Sequence, residues 1–78
     1  MYRVYKTNSR IECKSGTLTL EQKQKIVGGL IELIGEIWVQ GVRYSFYANE
    51  EGLLMDLEWN PFFPGIKGNV LFCNEGDD

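Results

Sequence analysis

Apolar and polar residues alternate most cleanly from Val42 to Asn49. Val42, Tyr44, Phe46 and Ala48 fall on one side, and Arg43, Ser45, Tyr47 and Asn49 on the other. That two-residue period is the mark of a half-buried strand. Leu53, Met55, Leu57 and Trp59 alternate again with Leu54, Asp56 and Glu58. Asn49-Glu50-Glu51-Gly52 lies between the two runs as a tight connection, with Gly52 expected at positive φ. The pattern therefore predicts a hairpin of these two strands. Leu30 to Val39, rich in Leu, Ile, Trp and Val, reads as a central strand, bent or bulged at Gly35. Without a bulge, Glu32 and Glu36 share one face, and Ile31, Leu33 and Ile37 the other. Gln40-Gly41 supplies the turn that follows.

The N-terminal third is patterned differently. Tyr2 to Lys6 alternates apolar with basic residues, Thr7-Asn8-Ser9 is a polar turn, and Arg10 to Lys14 is a second short strand. Ser15-Gly16 ends this hairpin. Thr19 and Gln22 have the spacing of a capping box, so a helix is expected from Leu20 to Val27, stopped by Gly28-Gly29. Two turns of helix need a sheet to pack on. Asn60-Pro-Phe-Phe-Pro-Gly65 is a loop with room for one helical turn, and Val70 to Cys73 is the last strand. The expected fold is α+β: one short helix packed on a mainly antiparallel sheet of five or six strands, in the order β-β-α-β-β-β-β. Residues 1–73 form a single domain, and 74–78 an acidic C-terminal tail.

Composition narrows the chemistry. The chain has 78 residues, no histidine, two cysteines and a net charge of −3. The lack of histidine excludes a Ser-His-Asp triad, a Cys-His pair and any imidazole metal ligand. Two thiols cannot complete a four-thiolate site. No catalytic residue, metal ligand or cofactor site is assigned. Basic side chains concentrate before residue 26 and acidic ones after it. Nucleic-acid binding, through Arg3, Arg10, Lys23 and Lys25, is disfavoured by the overall acidity. No signal peptide or membrane span is read at the N-terminus or elsewhere. Cys13 and Cys73 accordingly read as reduced thiols of a cytoplasmic protein, although sequence leaves a bridge between them open.

The candidate chemistry lies in the carboxylates and aromatics. Glu32 and Glu36, with Asp56 or Glu58, are a generic cation-binding set, and the turn acids Glu50 and Glu51 read as solvated. Gly28-Gly29 follows a helix instead of opening one and lacks the Lys-Ser/Thr of a phosphate loop. Tyr44 and Phe46 are expected in the core. Tyr47 on the opposite face, Trp59, and Phe62-Phe63 in the proline loop are candidate partner anchors, or else plugs at the edge of a small core.

Four short motifs carry a resemblance: Ile26-Val27-Gly28-Gly29-Leu30-Ile31-Glu32, Asn49-Glu50-Glu51-Gly52, Leu57-Glu58-Trp59-Asn60 and Ile66-Lys67-Gly68-Asn69-Val70. In this order they resemble a family of small phage, plasmid and bacterial proteins known as domain of unknown function 3846. Pro61 stands where many members carry a basic residue. The resemblance implies an accessory role in the cytoplasm, without an established activity, and points to Asn49, Glu50, Glu51 and Asn60 either as a shared polar surface or as turn residues that satisfy backbone groups. The combined expectation is a non-enzymatic protein that binds a host or viral protein, with self-association into a homodimer as a further option. The alternative is a nucleotide-signal binder whose pocket forms at an oligomer interface, lined by Arg43, Tyr47, Trp59 and Asn60.

Overall fold

The computed structural model describes residues 1–74. The elements are β1 (Tyr2–Tyr5), β2 (Ile11–Lys14), α1 (Leu20–Val27), β3 (Ile31–Val39), β4 (Val42–Asn49) and β5 (Val70–Asn74). Five strands form one antiparallel sheet in the order β2-β1-β5-β4-β3, and α1 covers one face. The fold is α+β, as the pattern predicts. β5 includes Asn74, the first residue of the expected tail; the rest of that tail lies outside the described residues.

Local chemistry explains the elements. The Thr19 hydroxyl accepts from the Gln22 amide at 3.2 Å, and the Gln22 side chain accepts from the Thr19 amide at 2.8 Å, closing the capping box. Gly28, at φ 88°, ends the helix in the left-handed conformation that L-residues avoid. Gln40 and Gly41, at φ 52° and 80°, make the tight turn of the β3–β4 hairpin.

The sheet differs from expectation in two ways. Leu53 to Trp59 is not a strand: successive turns occupy Glu51–Asp56, and Trp59 makes only an isolated bridge to Lys67. A strand has two edges, and those of β4 are taken by β3 and β5. Asp56, at φ 53°, also breaks extended structure. Nor is β3 central. It lies at the sheet edge, with Trp38 65% exposed. The centre belongs to β5, whose Val70, Leu71, Phe72 and Cys73 are all buried, the continuous apolar run of a strand covered on both faces.

Registers assign the faces. Val4, Leu71 and Cys73 point to the helix and pack with Val27 as the buried core, joined by Tyr2, Leu18, Ile26, Ile31 and Tyr47. The far face carries Tyr5, Tyr44, Phe46 and Phe72. Pairing slips between Leu33 and Gly35, so Ile34 is the extra residue of a β-bulge. Past it the alternation inverts. Glu32 pairs with Ala48 on the far face and Glu36 with Ser45 on the helix face. The two carboxylates therefore do not share a face, and the generic cation-binding set that an unbulged strand would present is not assembled. Among the described residues no group of three Asp, Glu or Cys side chains is placed to hold a metal ion.

Candidate functional site

Residues 50–69 connect β4 to β5. They wrap the end of the sheet where α1 finishes, then lay Phe62 and Phe63 on the far face. Three asparagine side chains hold this path. Asn49 is the last residue of β4. Its Nδ2 donates to the Val27 carbonyl at 3.2 Å and its Oδ1 accepts from the Glu51 amide at 2.8 Å. Asn60 is 4% exposed. Its Nδ2 donates to the carbonyls of Tyr5 (2.8 Å) and Gly68 (2.9 Å), and its Oδ1 accepts from the Phe62 amide at 2.8 Å. Asn69 accepts from the Thr7 amide and donates to the Ile26 carbonyl, both at 3.2 Å. Asn49 and Asn69 thus satisfy two carbonyls that the end of α1 leaves without intrahelical partners.

Two of the predicted polar site residues, Asn49 and Asn60, are therefore buried staples. Sequence reasoning did not single out Asn69 as a third, although a Gly-Asn pair opening a strand was the available signal. Gly52 also has a different role from the one expected. Its φ is not in the left-handed region, and a Cβ there would lie 2.8 Å from the Lys67 carbonyl oxygen. Glycine is needed for space. Glu50 and Glu51 do project from the turn into solvent.

The aromatics separate by face. Tyr47 packs against the helix-side core, with the Lys23 ammonium 5.0 Å from its ring centroid. Trp59 is exposed and carries Lys67 over its ring at 4.9 Å. Arg43 lies on β4 four residues from Tyr47, about 13 Å along the strand. The Asn60 amide is engaged with backbone, and within one copy Arg43, Tyr47, Trp59 and Asn60 line no common pocket among the described residues; the pocket expected of them belongs to an interface between copies. Two recessed clefts, one beside Met1 and Cys73 and one beside Glu32 and Lys67, hold only about 70 and 80 Å³, well below the usual size of a small-molecule site. The larger hollows beside α1 are open grooves.

Phe62 and Phe63 join a larger assembly. Both meet the Tyr5 ring edge-on, at 5.5 and 5.2 Å between centroids, and Phe63 meets Phe46 at 5.9 Å. Phe46 continues to Phe72 at 4.8 Å, and Phe72 stacks on Tyr44 at 5.1 Å with the planes 4° apart. The Arg3 guanidinium sits 5.7 Å from the Phe72 centroid. Its pKa is raised further, first by its hydrogen bond to Tyr5. Tyr44 and Phe46, expected in the core, instead lie half-buried on this far face. Ile37 and Val39 extend it along β3 and remain about half exposed. The aromatic array is the strongest candidate surface in the molecule.

Fold and surface together define a small α+β domain with one helix-covered face and one aromatic face. The chain belongs to the family described as a domain of unknown function (DUF3846), whose model matches residues 2–78. No curated protein and no solved structure matches it significantly. Among the described residues no helix is long and apolar enough to cross a membrane, which says nothing of crossing by strands.

Proposed function

We propose that this domain is a binding module, not an enzyme, and that it docks a host or viral protein on the aromatic face of its sheet as a cytoplasmic accessory factor. The observation that carries this reading is the continuous apolar surface of Tyr44, Phe46, Phe62 and Ile37. Among the described residues the 50–69 connection lies over it, and Phe62 and Ile37 remain substantially exposed. Rigid aromatics offer large contact area at small entropic cost, which makes them frequent interface anchors. The absence of histidine from the sequence favours binding over acid–base catalysis.

Affinity capture from bacterial lysate tests the reading, with the Ile37→Asp/Phe62→Ser double variant as control. The expected result is a partner retained by the wild type and lost by the folded variant. Equal recovery by both, or no partner above background, would reject this docking face.

A further inference from the structure

The two open edges of the sheet are complementary to each other. At one end β2 follows Arg10 and closes on Lys14; at the other β3 carries Glu32 and Glu36. Pairing register links Lys14 to Tyr2, Tyr2 to Cys73, Cys73 to Ser45 and Ser45 to Glu36. Lys14 and Glu36 therefore stand at opposite ends of a single row across the sheet, on the same face. Neither lies in a close ion pair among the described residues, whereas Lys6 and Glu12 pair at 3.0 Å, and Lys14 acts on Glu12 only at longer range. Four successive antiparallel pairings also leave β2 and β3 running in the same direction.

We infer that the β2 edge of one copy docks on the β3 edge of a second copy, extending the sheet from molecule to molecule. A lateral shift along the row, with the ordinary strand twist, sets Lys14 of one copy beside Glu36 of the next. It keeps every helix on the same face. The unpaired backbone groups of both edges then form a parallel ladder. Pairing β3 on β3 gathers the carboxylates of Glu32 and Glu36 with no cation on either strand, so the β3 edge favours a β2 edge over its own copy. The interface is head-to-tail, so association is open-ended and does not stop at a dimer.

Sedimentation velocity over a concentration series at low and high salt tests this, with two charge-reversed variants of exposed residues. For the wild type, mean mass should climb past the dimer with concentration at low salt and fall as salt is added. Glu32→Lys/Glu36→Lys and Arg10→Glu/Lys14→Glu should each weaken self-association on the order of tenfold or more. An equimolar mixture of the two variants should associate again, because each supplies an edge the other lacks; that recovery also shows both are folded. A wild type that stays monomeric at low salt, a closed dimer, or a mixture no more associated than its components would overturn the proposal. Partner capture on the aromatic face is read separately and does not depend on these edges.

Discussion

Asn49, Asn60 and Asn69 show why a single side chain can hold twenty residues of irregular backbone in place. A primary amide is donor and acceptor at once, so it can bridge a carbonyl of one segment and an N–H of another. Asn60 serves three backbone groups from a buried position, and its bond to the Gly68 carbonyl is itself buried. Asn60→Ala should cost about 2–4 kcal/mol, and Asn60→Asp should also destabilise because a carboxylate cannot donate to the Tyr5 and Gly68 carbonyls; urea unfolding reads both. Gly52→Ala forces a Cβ against the Lys67 carbonyl and should cost about 1–3 kcal/mol on the same assay. The half-buried Glu12 behaves differently. Its hydrogen bond to Lys6 lowers its pKa, so its contribution is present above the ordinary carboxylate range and is lost as pH falls through the depressed value. The difference in urea midpoint between wild type and Lys6→Ala should therefore be small, visible at neutral pH and absent in strong acid. Asn49 and Asn60 were legible in the sequence as special residues but not as buried ones. The carbonyl that Asn60 meets on Tyr5 lies 55 residues away along the chain, and no local pattern reports it.

Elements whose signals are local came out as the sequence predicts. The capping box, the Gly28 stop and the Gln40-Gly41 turn each involve neighbours within a few residues, and each sits where expected. Thr19→Ala should destabilise by about 1 kcal/mol, with a matching loss of helical circular dichroism on partial denaturation. The bulge at Ile34 was anticipated as an irregularity near Gly35, and its consequence is larger than its size. One extra residue moves Glu36 and everything after it to the opposite face. Deleting Ile34 should leave Leu33 opposite Tyr47 and Gly35 opposite Phe46 in an unbroken ladder, so Glu32 and Glu36 stay on opposite faces and the cross-strand NOE contacts between Ile37 and Tyr44 survive. The failed hairpin at Leu53 to Trp59 has the complementary cause. Its alternation is as regular as that of β4, but alternation cannot say whether a partner edge is vacant.

At the scale of the whole molecule, strand order separates the two cysteines. Cys13 lies on β2 and Cys73 on β5, with β1 between them and their side chains on opposite faces. Two strand spacings, about 9–10 Å, exceed the reach of a disulfide, which closes the question the sequence left open. In dilute, high-salt solution a maleimide should label Cys13 of the native protein and reach the buried Cys73 only as the protein unfolds; mass spectrometry after a short pulse distinguishes one label from two. The charge asymmetry also gains a geometry, since the basic N-terminal strands and the acidic Glu32–Glu36 strand become opposite edges of one sheet. Sequence alone determined the helix and its caps, the polar turns, the α+β class and the family resemblance. It could do so because hydrophobic period, capping and turn chemistry act over a few residues. Only the tertiary structure decided that β5 takes the centre and β3 the edge, which asparagines are buried, and which aromatics meet on the uncovered face. Those outcomes depend on which strand edges and backbone groups remain unsatisfied once distant segments have come together.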